Sequence, residues 1–344
     1  MRAALAFLSA WAVRARPVAP AAPPERLFVA GLGYCGIRTA IAWHEAYLEC
    51  EVHGSVRSQA KAEVLKARFP WLKTHAFDLD ENYVGLDEPG RAALATASHL
   101  VQTMPPIADF DRDPLLALHG DLLRESEPLV SAAYLSSTGV YGDHGGDWVD
   151  EDSELRPDEP RSRARVVAEA AWMELEERPG RPRCTVSVFR LGGLYGPGRS
   201  PLGRARLQGA QAPLVDSGST VEAVVVPWVN RVHVDDVAGA LVLAATRAPG
   251  PARVYNLVDD EPAPRSAVVS LARRLLGLSE DVQGDGAASL PPARPRRARS
   301  SGSKRVRNAR LRGELGYELT APTYREGLEL LLVAERAAAD NSGG

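Results

Sequence analysis

The chain has 344 residues, 45% of them hydrophobic and 25% charged, with a formal net charge of −3. That length suits one large α/β domain, or one domain with a smaller lobe, and buries enough core to fold without covalent staples. The slight acidity removes any whole-protein argument for nucleic-acid binding, and Cys35, Cys50 and Cys184 have the spacing of neither a disulfide framework nor a zinc site.

Residues 1–25 stand apart. They carry Arg2, Arg14 and Arg16, four prolines and no acid before Glu25. An acid-free, Arg- and Ala-rich start resembles an organelle transit peptide, while the apolar run at 3–13 has signal-peptide length and is too short for a membrane span. A bipartite presequence would contain both. The expectation is cleaved targeting to an organelle, a plastid ahead of a mitochondrion. The alternative is a disordered extension on a cytoplasmic protein. No other stretch reads as a bilayer span.

Strands and helices then alternate. Residues 27–30 are an apolar run ending in glycine, which reads as a buried parallel strand. A helix follows from Gly36, with Ile37, Ala40, Ile41 and Leu48 on one stripe. A second strand covers 52–56, and a helix at 60–68 ends at Phe69-Pro70. Residues 75–77 lead to Asp78, and 83–97 reads as a helical crossover. A strand at 98–103, a helix at 114–124 and a strand at 129–135 come next. A long amphipathic helix at 161–177 is stopped by Pro179-Gly180, and 185–191 is a further strand. This alternation predicts an α/β fold, a Rossmann-type doubly wound parallel sheet over 26–196. Beyond Gly196 the rhythm is irregular: short strands at 221–229 and 230–234, a helix at 236–246, a strand at 254–258 and a helix at 266–276. A Gly-, Pro-, Ser- and Arg-rich segment at 279–303 reads as a mobile loop, and 324–335 as a last helix. Residues 197–335 are thus expected to form a small C-terminal α+β substrate lobe, interleaved with the last strands and helices of the sheet domain, with a tail at 336–344.

Gly31-Leu32-Gly33-Tyr34-Cys35-Gly36 fits GxGxxG and lies where the motif has meaning, after a strand and at the start of a helix. Gly31 permits the tight turn, Gly33 lets backbone approach a pyrophosphate, and Gly36 lets helix and strand pack closely. The helix N-terminus, at Tyr34 and Cys35, supplies free N–H groups. Cys35 itself reads as a packed thiol. The acid that would bind a ribose 2′-hydroxyl is replaced by Ser55-Val56-Arg57-Ser58. An arginine there suits a 2′-phosphate, so NADP is expected ahead of NAD. Asp78, after the third strand, is placed either to hydrogen-bond an adenine amino group or to cap a helix.

Several segments together resemble the extended short-chain dehydrogenase/reductase superfamily, in its epimerase/dehydratase branch. They are the glycine turn, Ser136-Ser137-Thr138-Gly139-Val140-Tyr141-Gly142, the run from Phe189 through Tyr195-Gly196-Pro197-Gly198, Arg231-Val232-His233-Val234-Asp235-Asp236, and Val254-Tyr255-Asn256-Leu257. Their order and spacing match over roughly residues 26–335. Pro160-Arg161-Ser162-Arg163-Ala164-Arg165, the run from Gly302 through Ser303-Lys304-Arg305, and Pro322-Thr323-Tyr324-Arg325 resemble an atypical subgroup labelled nucleoside-diphosphate-sugar epimerase. Its members lack the superfamily's Tyr-x-x-x-Lys pair.

The resemblance implies hydride transfer between nicotinamide C4 and a carbinol carbon, with a Ser/Thr on the substrate oxygen, a Tyr moving the proton and a Lys lowering the Tyr pKa. Ser137 matches the Ser/Thr position, with Thr138 as its neighbour. The Tyr slot is Arg161 and the Lys slot Arg165. Arg165 is still suited to a ribose or phosphate, but a guanidinium is no general base. Tyr141, on the same strand end, and His144, in the loop after it, are the visible replacements, each with a plainer reading as a packed motif residue and an exposed loop residue. Thr103 and Pro105 follow the fourth strand where the family's backbone passes the cofactor. His233 belongs to the HVDD element, with Asp235 read as a helix cap. From Arg294 to Arg312 there are nine basic residues and no acid, among them Lys304 and Arg305, placed by this reading at a substrate cleft for an anion. The expectation is an NADP-dependent oxidoreductase or sugar-nucleotide epimerase-like enzyme acting on a small anionic substrate. The alternative is a dinucleotide-binding subunit or redox sensor without catalysis.

Overall fold

The computed structural model describes residues 24–79, 84–107, 113–180, 184–208, 227–245, 253–278 and 302–342. The presequence expected at 1–25 thus falls almost wholly outside the described residues. So do most of the strand expected at 221–229 and of the loop expected at 279–303.

The chain runs β1 (Arg26–Ala30), α1 (Tyr34–Ala46), β2 (Glu51–Val56), α2 (Gln59–Arg68), β3 (Leu72–Asp78), β4 (Gly85–Leu86), α3 (Glu88–Ala95), β5 (His99–Gln102), α4 (Pro114–Glu125), β6 (Ser131–Ser137), β7 (Trp148–Val149) and α5 (Pro160–Met173). It continues through β8 (Thr185–Leu191), β9 (Gly193–Tyr195), α6 (Pro201–Gln208), β10 (Trp228–Val229), β11 (Arg231–His233), α7 (Val234–Ala245), β12 (Arg253–Leu257), β13 (Ala263–Pro264), α8 (Arg265–Leu275), β14 (Arg305–Val306), α9 (Ala309–Gly313) and α10 (Tyr324–Ser342).

Eight strands form one sheet in the order β12-β8-β6-β5-β1-β2-β3-β4. Each neighbouring pair is parallel except β3 with β4, which are antiparallel at the edge. This is the Rossmann-type fold expected from the alternation. The order reverses direction across β1, so the crevice beyond its C-terminal end is a topological switch point.

The alternation along β1 divides the core. Leu27 and Val29 face a cluster that includes Trp43 of α1 and Val237 and Leu241 of α7. Phe28 and Ala30 face the opposite cluster, with Leu115 of α4 and Trp172 of α5. Trp43 and Trp172 are both fully buried, one anchoring a helix on each face of the sheet. At about 1.5–3 kcal/mol for each large apolar side chain removed from water, these two layers hold the sheet in place.

A third cluster joins Tyr195 and Leu202 to Val268 and Leu271 of α8 and to Tyr324, Leu328 and Leu331 of α10. It is separate from the two sheet layers, while β12 from the same half of the chain pairs with β8 in the main sheet. The crossover expected at 83–97 contains β4 as well as α3. Asp87 caps α3 by accepting from the Gly90 N–H at 2.8 Å, and Asp113 caps α4 by accepting from the Leu115 N–H at 2.9 Å.

Candidate active site

The glycine turn leaves β1 with Gly31 at φ 95. Two hydroxyls fix it: Ser55 Oγ accepts from the Gly31 N–H at 2.9 Å, and Thr103 Oγ1 donates to the Gly31 carbonyl at 2.5 Å. β2 and β5, on either side of β1, therefore both hold the turn. A Cβ at Gly36 would collide with the Gly31 carbonyl oxygen, whereas one at Gly33 would meet nothing within 4 Å. Gly36 is thus required for helix–strand contact, and Gly33 borders open space. No side chain caps α1 and no acid stands in its first turn. A helix start left uncapped beside open space fits the pyrophosphate of a dinucleotide.

Tyr34 and Cys35 open α1. The Cys35 side chain is buried, and burial pushes its thiol up to about 11. Arg57 stands exposed just past β2 and has no partner among the described residues. Its neighbour Ser58 caps α2 by accepting from the Lys61 N–H at 3.4 Å. Asp78 ends β3, exposed, in register with Gly85 of the antiparallel edge. Pro105 is exposed in the turn that follows Thr103.

At the end of β6, Ser137 is half-buried and its Oγ accepts from the Gly139 N–H at 3.1 Å. Thr138 is buried at the start of the 3-10 turn Thr138–Tyr141. Arg161 is exposed on the first turn of α5, without a partner among the described residues. Arg165 is half-buried and donates to the Leu135 carbonyl at 2.9 Å, which ties its guanidinium to β6. Arg163 points elsewhere, donating to the Asp158 carbonyl at 2.6 Å.

A residue without an assignment from the sequence joins them. The Ser162 hydroxyl lies 3.0 Å from the position a Gly139 Cβ would occupy, and Ser137 Oγ lies 3.3 Å from that same point. The missing side chain at Gly139 lets these two hydroxyls flank one gap. The only sequence signal for Ser162 is its place next to Arg161, because its relation to Ser137 depends on how α5 docks.

Four expected site residues are engaged by the protein's own core and loops instead. Tyr141 is fully buried; its hydroxyl donates to Asn256 Oδ1 at 2.7 Å and accepts from Arg190 at 3.0 Å. Burial pushes its phenol up to about 12, with Arg190 pulling the other way, so it is not available as a proton shuttle. Lys304 is buried and donates to the Gly142 carbonyl at 2.8 Å, fastening the 142–146 loop instead of facing a ligand. Arg305 donates to the Gly146 carbonyl at 2.7 Å, and its guanidinium is stacked between Trp148 and Trp228, at 5.1 and 5.2 Å from their ring centroids. His233 is fully buried, accepts from the Asp235 N–H at 3.3 Å and meets Tyr195 edge-on. Burial lowers it to about 4, so it is neutral at pH 7. Asp235 lies inside the first turn of α7 and accepts from Arg38 Nε of α1 at 2.6 Å instead of capping the helix. His144 contacts the Glu154 carbonyl at 3.2 Å.

Beneath Ser137 lies a buried polar network. Glu169 of α5 accepts from Ser136 Oγ at 2.5 Å and from Arg190 Nη2 at 2.8 Å. Arg190 continues to Tyr141, Tyr141 to Asn256, and Asn256 Nδ2 donates to the Arg307 carbonyl at 3.0 Å. Every charged member has a partner, the condition under which buried charge is tolerated. No group of three metal-ligating side chains occurs among the described residues, and no helix among them is long and apolar enough to cross a membrane.

Comparison with known proteins agrees with this geometry. Residues 121–257 match the model of the NAD dependent epimerase/dehydratase family. Protein YeeZ of Escherichia coli K12 is 29% identical over 303 residues, covering 87% of this chain and 97% of YeeZ. The 3-diazoavenalumate denitrifying reductase of a Streptomyces species is 30% identical over 253 residues, covering 68% of this chain and 76% of that enzyme. The solved structure of a functionally unknown conserved protein from Silicibacter pomeroyi is 34% identical, with a TM-score of 0.67 over 90% of this chain and 98% of that one. The glycine turn at the switch point, the Ser137 strand end and these matches together place the chain in the NAD-dependent epimerase/dehydratase family, as an atypical member of the short-chain dehydrogenase/reductase superfamily.

Proposed function

We propose that the protein binds NADP in preference to NAD and, with the reduced cofactor, reduces a small anionic acceptor that needs no proton from an enzyme side chain. The observation that carries this reading is the pairing of an intact cofactor cradle with Arg161 and Arg165 in the Tyr and Lys slots. Neither arginine can give up a proton at working pH, and Tyr141 is held in the core.

When bound, the nicotinamide supplies or accepts hydride. The chain's own residues do the rest. Gly31, Gly33 and the start of α1 hold the diphosphate, and Arg57 meets the 2′-phosphate. Ser137 and Ser162 orient an acceptor oxygen or nitrogen by hydrogen bonding. Arg161 supplies positive charge that favours an anion at the outer wall. Epimerisation of a sugar nucleotide would remove a hydroxyl proton together with the hydride, which these groups support less well than simple reduction. The Streptomyces relative is named a denitrifying reductase, which supports reduction over epimerisation. A non-catalytic dinucleotide-binding role is the second reading, favoured by the same loss of Tyr and Lys.

Incubation with NADPH deuterated at C4 and a panel of electrophilic anionic acceptors tests the choice. Deuterium recovered in a reduced product is expected. Tight NADP binding with no deuterium transfer to any acceptor would establish the binding role instead.

A further inference from the structure

Past β9 the chain reverses tightly at residues 196–199, where Gly196 and Arg199 exchange two backbone hydrogen bonds of 3.0 Å each. Gly196 has φ 153 and Gly198 has φ 73, so the reversal depends on both glycines. A Cβ at Gly196 would lie 2.7 Å from Tyr34 Oη and 2.7 Å from Val234 Cγ1. Only glycine allows so close an approach. The Tyr34 hydroxyl donates to the Pro197 carbonyl at 3.2 Å, and Arg199 Cζ stands 5.6 Å from the Tyr34 ring centroid. The reversal therefore rests on the first residue of α1, beside the glycine turn.

The cations around this turn are not equivalent. Arg38, one helical turn further along α1, is neutralised by Asp235, whose Oδ1 accepts from its Nε at 2.6 Å. Arg57 stands at the far end of β2. Arg199 is exposed and has no carboxylate partner among the described residues. Its charge reaches into the turn, since it pulls the buried Cys35 thiol downward against the effect of burial. An unpaired guanidinium and an uncapped helix start thus lie on the same small region.

We propose that Arg199 is a further cofactor-binding residue, a clamp on the dinucleotide diphosphate carried by the 196–199 reversal. This rests on the reading that the protein binds a nicotinamide dinucleotide. The reversal is fixed by Tyr34 and Pro197, so the guanidinium needs only side-chain rotation to leave the Tyr34 ring for a phosphate oxygen. Because the diphosphate is common to NAD and NADP, Arg199 adds affinity without choosing between them. Arg57 alone then carries the choice.

Calorimetric titration of the full chain with NADP and with NAD, at low and high salt, tests the clamp. Arg199→Ala is expected to weaken both cofactors by one common factor, roughly tenfold at low salt and less at high salt. Wild-type affinity in the variant would overturn the clamp, and so would a loss confined to NADP or a loss indifferent to salt. If the wild-type chain binds neither cofactor, the dinucleotide reading itself falls, and the clamp with it. The other outcomes bear on Arg199 alone.

Discussion

At the end of β2, Arg57 stands exposed where an acid would have to sit to bind an unphosphorylated ribose. Arg57→Asp should lower NADP affinity by about tenfold to a hundredfold while leaving NAD within a few-fold, the cost of losing a charge-assisted contact to one phosphate. Equal losses for both cofactors in calorimetry would contradict the 2′-phosphate assignment. Arginines elsewhere show why charge in a sequence does not reveal its use. Arg190 is buried against Glu169, Arg165 is tied to a strand carbonyl, and Arg305 is stacked between two tryptophans. The acid-free run assigns Lys304 to an anion, yet the carbonyls of Gly142 and Gly302 decide its place. The Gly142 carbonyl accepts its hydrogen bond, and only the fold brings Gly142 to it. Ser162 was illegible for the same reason: its meaning comes from the gap at Gly139.

The elements were more legible than the residues. Apolar runs ending in glycine marked β1 and its turn, and the periodicities of α1, α5 and β8 follow from burial on one or both faces. β4 escaped because two residues of antiparallel edge carry no periodicity. Helix α5 does more than cover the sheet. Through Glu169 it binds Ser136 at the end of β6 and Arg190 in β8, so one helix fixes the strand end that presents Ser137. Glu169→Ala strands Arg190 in the core and should cost about 3–5 kcal/mol in urea denaturation, the usual penalty for breaking a buried pair. The double variant Glu169→Met with Arg190→Met should recover part of that loss. A single-variant cost below about 1 kcal/mol would show that the pair does not hold α5 to the sheet.

Across the whole molecule, the two sheet faces contain buried histidines as well as apolar side chains. His99 of β5 is buried, its Nε2 is 3.2 Å from the Ala245 carbonyl, and burial lowers it to about 4. With the folded pKa below the unfolded 6.5, its contribution is fully present above pH 6.5 and is lost as the pH falls toward 4. Between about pH 7.5 and 5, wild type should therefore lose about 2 kcal/mol more stability than His99→Phe. Parallel pH dependence in the two proteins would contradict a neutral, buried His99. The general architecture could be read from the sequence because it depends on periodicity and glycine spacing. The contact between the 196–199 reversal and Tyr34 could not, because its partners lie 163 residues apart.

The proposed nicotinamide site keeps its glycine cradle and has arginines in place of the usual proton shuttle. The solvent isotope effect on single-turnover oxidation of C4-deuterated NADPH tests that most directly. A primary effect from the deuterated cofactor with a solvent effect near about 1, and a rate level from about pH 6 to 9, is the predicted result. A normal solvent effect of about 2 or more, with a rate that titrates in that range, would place a proton-transferring side chain in the site and contradict the account.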